Sequence, residues 1–136
     1  MNRAAVRPSV AIVDGVPMSA LVAEAINTEV PKAVIVALHG GGTTSVYFNC
    51  PGHPSLPLLR TGAAAGFTVV ALDRPGYGSS GPYPEAMGRP EQRVNLAYGA
   101  VDRILGQGPR ASPRGAGLFV MGHSAGCELA MRMGTD

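Results

Sequence analysis

Charge is scarce in this sequence: 15% of its 136 residues are Asp, Glu, Lys or Arg, and the formal net charge is only +2. No Lys/Arg run occurs, so the basic face that nucleic-acid binding needs is missing, and the small surplus says nothing about partners. Trp is absent and there are only four Tyr and three Phe, too few for a platform on which bases or sugars stack. Cysteine is limited to Cys50 and Cys127, whose spacing suits neither a metal site nor a disulfide framework. Cys127 reads as a small packing residue of the core. Long apolar runs are lacking too. The longest, Ala33 to Leu38, is far short of a membrane span, and Ser9 to Val13, behind Arg3 and Arg7, is too short for a signal-peptide core. These absences lead to the expectation of a cytoplasmic chain with reduced thiols, no nucleic-acid or membrane partner, no metal and no cofactor.

What is abundant is apolar surface (46% of residues), with 19 Gly and 12 Pro that follow no repeat. That length and composition suit a single domain over residues 1–136, with one buried core and many tight turns. Ser9 to Asp14 and Ser19 to Ile26, around Gly15-Val16-Pro17, read as a β-hairpin. Three runs, Ala33–Leu38, Phe67–Leu72 and Leu118–Met121, are apolar on nearly every residue, as suits strands covered on both faces of a parallel sheet. Between them lie helical patterns. Leu56, Leu59 and Ala63 share a face in a short helix that Ser55 would cap and Gly66 would end. From Pro90 to Leu105 a stripe of Val94, Ala97, Tyr98, Val101, Ile104 and Leu105 has helical spacing, and Glu128 to Met133 forms a third helix. The expected fold is α/β: a mostly parallel sheet, an N-terminal antiparallel hairpin, and helices on both faces. In such sheets the chemistry collects beyond the carboxyl ends of the strands.

Each of those ends carries a motif. The third is Gly122-His123-Ser124-Ala125-Gly126, a G-x-S-x-G pattern directly between a strand and a helix. A serine there sits on a sharp strand-to-helix bend with its hydroxyl presented outward, and the glycines remove side chains that would clash. The first is His39-Gly40-Gly41-Gly42, where bare backbone lets amide N–H groups point at a developing negative charge. The second, Asp73-Arg74-Pro75-Gly76-Tyr77-Gly78-Ser79-Ser80-Gly81, contains a literal G-x-G-x-x-G. A dinucleotide site needs its helix to start inside that motif. Pro82, Pro84 and Gly88 follow instead, so an irregular excursion is expected and nucleotide binding is rejected.

The succession H-G-G-G, D-R-P-G-Y-G-S-S, G-H-S-A-G resembles the N-terminal portion of the α/β-hydrolase superfamily, over about Ser9 to Gly134. The resemblance implies an esterase- or lipase-like serine hydrolase with Ser124 as nucleophile. It implies an oxyanion hole formed by the N–H of Ala125 with one from Gly41 or Gly42, and a structural role for Asp73 in the turn after the central strand. Gly40, Gly122, Gly126, His39 and His123 would support these motifs, and a small acyl substrate would be the partner.

The superfamily's triad runs Ser, then acid, then His, yet only twelve residues follow Ser124 and none is histidine. His39, His53 and His123 all precede it. His39 is expected to be a structural hydrogen-bonder, His123 to be turned away from the hydroxyl, and His53 to approach the site at most. Glu128 and Asp136, on the nucleophile's own helix, are poorly placed to orient an imidazole. The expectation is therefore an incomplete domain, inactive or very weak alone, whose last strand forms an exposed edge prone to self-association. Besides the hydrolase, two other readings stand: an acyltransferase using the same nucleophile, and a non-catalytic remnant or half-site completed by another chain.

Overall fold

A computed structural model of the chain describes residues 5–49, 58–108 and 110–135. The hairpin comes first: β1 (Val6–Val13) pairs antiparallel with β2 (Val16–Ala23). Its turn is the two-residue Asp14-Gly15, both at positive φ, with Val13 opposite Val16. Asp-Gly is the favoured pair for such a turn because its backbone twist matches that of the strands. Pro17 thus falls inside β2 rather than in the turn, at a point β4 does not reach, since the β2–β4 pairing begins at Ala20.

The three apolar runs become β3 (Val34–Leu38), β4 (Thr68–Leu72) and β5 (Leu118–Gly122). Together the strands form one sheet ordered β1-β2-β4-β3-β5. β3 pairs parallel with both β4 and β5, and β2 joins β4 antiparallel, so every strand but β2 runs the same way. All five residues of β4 are buried, as the middle strand of a sheet covered on both sides must be.

One face is covered by α1 (Leu58–Ala64), whose Leu59 and Ala63 pack against Ala37, Val69 and Ala71. The sequence expectations for its first residues, Ser55 and Leu56, lie outside the described residues. The other face carries α2 (Pro90–Gly106) and α3 (Gly126–Thr135). On α2 the stripe Val94, Ala97, Val101 and Ile104 meets Val13, Met18, Val22, Val36 and Val70. Pro90 opens the helix, where its missing N–H costs nothing, and Gln92 Oε1 accepts the Arg89 N–H at 3.0 Å. On α3 the buried hydrophobic side chains are Leu129 and Met133, one turn apart.

Cys127 falls one step off that stripe. Contrary to its expected core position it is exposed, with its S–H directed at the Gly122 carbonyl, 3.4 Å away. β5 alternates half-buried and exposed residues: Leu118 and Val120 pack toward the α2–α3 face, while Phe119 and Met121 are 60% and 40% exposed on the other. Among the described residues β5 is also an outer strand of the sheet, so the apolar edge expected from the sequence is present. No helix among the described residues is long and apolar enough to cross a membrane.

Candidate active site

Parallel β3, β4 and β5 end side by side, which brings the three glycine-rich motifs to one rim. At the end of β5 the chain turns sharply into α3. Ser124 stands in that turn at φ +53°, left-handed backbone that a residue with a Cβ avoids. The strain is of order 1–3 kcal/mol, and it persists only where surrounding contacts over-determine the backbone. Those contacts are visible. His123 N–H donates to the Leu38 carbonyl (3.0 Å), Gly126 N–H to the His123 carbonyl (2.9 Å), and Cys127 N–H to the Ser124 carbonyl (3.0 Å).

The flanking glycines are dictated by the same bend. A Cβ on Gly126 would lie 2.5 Å from the Leu38 carbonyl oxygen, and one on Gly122 would lie 2.8 Å from backbone atoms of Gly126 and Cys127. Backbone cannot yield as a flexible side chain does, so only glycine fits either place. The side chain that the bend presents is the Ser124 hydroxyl, and the residue is exposed.

The glycine loop after β3 lies against this turn: a Cβ on Gly40 would sit 3.3 Å from Ser124 Cβ. Gly41 and Gly42 follow, exposed and beside open space, with Gly42 at φ +73°. His39 anchors the loop from beneath. It has no accessible surface. Its Nδ1 bonds the Gly40 carbonyl (2.8 Å), and its Nε2 accepts the Arg74 backbone N–H (3.0 Å). Both contacts are satisfied by the neutral imidazole protonated at Nδ1. Burial lowers its pKa below the ordinary 6.5, and the nearby Arg74 charge adds to this against the opposing pull of the Gly40 carbonyl and Asp73.

Asp73, at the end of β4, holds the second motif. Oδ2 accepts the Ser19 hydroxyl at 2.6 Å and Oδ1 accepts the Ser45 backbone N–H at 2.7 Å. Ser19 Oγ in turn accepts the Ser79 N–H at 3.0 Å. One carboxylate thereby ties β2, the 3₁₀ turn Ser45–Asn49 and the 3₁₀ turn Gly78–Ser80. Gly78 abuts this network, since a Cβ there would meet Asp73 Oδ2 at 2.6 Å. A further 3₁₀ turn, Pro84–Met87, precedes α2, so the G-x-G-x-x-G holds one short 3₁₀ turn and no α-helix opens within it.

His123 points elsewhere than the hydroxyl. Its ring stacks on Tyr47 (centroids 4.7 Å apart, 24° between planes), with Tyr47 Oη 3.3 Å from Nε2. Glu128 Oε1 faces Arg93 Nη2 (3.7 Å) and Arg132 Nε (3.3 Å). His53 and Asp136 lie outside the described residues. Neither described histidine is thus placed as a base for Ser124. Among the described residues no three His, Cys, Asp or Glu side chains gather as metal ligands.

Beside the turn opens a cavity of about 220 Å³ lined by Arg74, Pro75, Arg93, Ala125, Glu128 and Leu129. Sequence reasoning missed its arginines. Arg93 Nη1 donates to the Met87 carbonyl at 2.6 Å. Arg74 lays its guanidinium over the Tyr77 ring, 4.6 Å from the centroid, and its Nε and Nη2 are buried with no hydrogen-bond partner among the described residues. An unsatisfied buried group of this kind costs about 1–3 kcal/mol, more when it is charged. The signal available in the sequence was an arginine at a strand end, in a motif otherwise read as a structural turn.

Residues 35–135 match the model of a family described as "Alpha/beta hydrolase family". No curated protein matches the sequence. Among solved structures, the chain is similar to the Cif epoxide hydrolase from Acinetobacter nosocomialis (21% identity, TM-score 0.68, covering 94% of this chain and 33% of that one). It is similar to a putative acetyl xylan esterase from Bacteroides fragilis (17%, TM-score 0.70, 99% and 44%). A thioesterase domain from the curacin biosynthetic pathway is similar as well (23%, TM-score 0.62, 96% and 40%). At these identities the likeness is one of fold, and the chain spans less than half the length of each.

Proposed function

The chain belongs to the alpha/beta hydrolase family, and on that premise we propose that it carries the nucleophile and oxyanion-binding part of a serine hydrolase acting on an ester or related acyl substrate. The observation that carries this reading is Ser124 at φ +53°, wedged between two glycines that admit no Cβ. Among its neighbours in fold are proteins described as an esterase, a thioesterase and an epoxide hydrolase. A serine at position 124 favours acyl chemistry.

In the proposed reaction Ser124 Oγ attacks the acyl carbonyl while its proton passes to a base. The N–H of Ala125, with that of Gly41 or Gly42, stabilises the resulting oxyanion. Collapse of the tetrahedral adduct expels the alcohol or thiol, which takes up the proton, and water later releases the acid. Each oxyanion donor of this kind supplies roughly 2.7–4 kcal/mol. The base is proposed to be a histidine that these 136 residues do not themselves supply, since His39 is buried and tied at both nitrogens and His123 is stacked on Tyr47. A cytoplasmic location and a small acyl substrate belong to the same proposal.

Acyl trapping tests it. Deacylation also needs the base, so an acyl-enzyme formed without one persists. Incubation with p-nitrophenyl acetate, followed by peptide mass mapping, is expected to show acetylation at Ser124 that is lost in Ser124→Ala. Acetylation only at lysines or at other serines would contradict the reading.

A further inference from the structure

The cavity beside Ala125 has a chemical character that the serine reading does not use. Two of its six lining residues are arginines, and they differ in state. Arg93 is engaged by the Met87 carbonyl and Glu128. The one carboxylate among the six lining residues, that of Glu128, is itself shared between Arg93 and Arg132. Arg74 is left with its Nε and Nη2 buried and without an acceptor among the described residues. Nε and Nη2 form one edge of the guanidinium, the fork that matches a carboxylate or phosphate with two parallel hydrogen bonds. Tyr77 lies under the face of that group and leaves the in-plane edge unspent. Ala125 adds the start of α3 to the same wall, and the partial positive charge of a helix N-terminus favours an anion there.

We propose that this cavity binds an oxyanion group, a carboxylate or a phosphate, on the Arg74 guanidinium, and that the acyl substrate of the site carries such a group. The second half rests on the assignment of Ser124 as nucleophile; the first does not. Because Nε and Nη2 are shielded from water, binding is accompanied by a turn of the Arg74 side chain toward the cavity, away from the Tyr77 ring. The backbone N–H of Arg74, which holds His39, need not move. Specificity follows from the two sites together: a substrate with an anionic group at the right reach from its carbonyl is seated by Arg74 while Ser124 attacks, and a neutral ester of the same size leaves the guanidinium unpaired.

The test is a titration of the ¹⁵N-labelled 136-residue chain with N-acetylglycine, with methyl phosphate, and with sodium chloride at matched ionic strength. The Arg74 Nε–Hε and Ala125 amide resonances are the readouts. Saturable shifts with one of the two anions, absent with chloride, support the proposal, and the tighter of the two identifies the group. Arg74→Gln is expected to weaken that binding about tenfold or more, and Arg74→Lys, which keeps the charge but not the fork, to fall between. The His39 Nδ1–H resonance reports whether each variant is folded. Shifts that do not saturate, that chloride reproduces, or that persist in a folded Arg74→Gln overturn the proposal. A parallel fluorophosphonate reaction separates the two readings. Labelling of Ser124 without anion binding removes this inference alone, whereas anion binding without labelling removes the nucleophile and leaves the anion site standing.

Discussion

His39 Nε2 accepts the backbone N–H of Arg74 across 3.0 Å, which locks the end of β3 to the turn that follows β4. The bond requires a neutral imidazole, and burial holds the His39 pKa below 6.5. The unfolded chain therefore takes up a proton near pH 6.5 while the folded chain resists, and stability falls as pH drops below that value until the folded pKa is passed. Above about pH 7 this residue contributes no pH dependence. Urea unfolding across pH 5–8 is expected to show that decline, and His39→Asn is expected to remove His39's share of it.

Asp73 satisfies the Ser19 hydroxyl and the Ser45 N–H with one carboxylate. Asp73→Ala strands both donors and is expected to cost about 3 kcal/mol in denaturant unfolding. Asp73→Asn retains an oxygen but turns an amide group toward a donor, and is expected to cost less than Ala and more than zero.

The left-handed backbone at Ser124 predicts an inverse relation between stability and function. Ser124→Gly relieves the strain and is expected to raise stability by about 1 kcal/mol over Ser124→Ala, which keeps the Cβ. Both variants lose the nucleophile. Equal stability of the two in thermal or denaturant unfolding would show that the turn is not strained.

Among the described residues β5 pairs on one side only, with β3, and exposes Phe119 and Met121 on one of its faces. Such edges pair with other chains, and we propose self-association through β5. Phe119→Lys is expected to shift sedimentation toward the monomer without changing unfolding by more than about 0.5 kcal/mol, since the side chain is mostly solvated.

Much of this was legible in the sequence because local chemistry and tertiary demand agreed. Runs such as Val69-Val70-Ala71-Leu72 suit only a strand covered on both faces, and the stripe from Val94 to Ile104 suits only a helix on one face of the sheet. The G-x-S-x-G pattern carried its own geometry, because the collisions at Gly122 and Gly126 are backbone collisions fixed by the bend itself. Arg74 was not legible. Its burial depends on Tyr77, Pro75 and the approach of α3, none of which follows from spacing. Cys127 departs from its expected core position for a related reason: its small apolar side chain suits a core, but its place on α3 is set by the Leu129–Met133 stripe. The hairpin turn falls at Asp14-Gly15, ahead of the Gly15-Val16-Pro17 expected, because those two residues take the positive φ that a two-residue turn needs and Pro17 is accommodated within β2.

Ser124 as a nucleophile held in a strained turn beside backbone donors is the central claim, and competitive labelling tests it most directly. Loss of a triad member still leaves roughly 10³–10⁴-fold catalysis over water from the oxyanion donors and binding. Treated with a fluorophosphonate and mapped by peptide mass, the chain is predicted to label slowly but at Ser124 ahead of every other serine, and not at all there in Ser124→Ala. Uniform labelling of exposed serines, or none at Ser124 after prolonged exposure, would contradict the account.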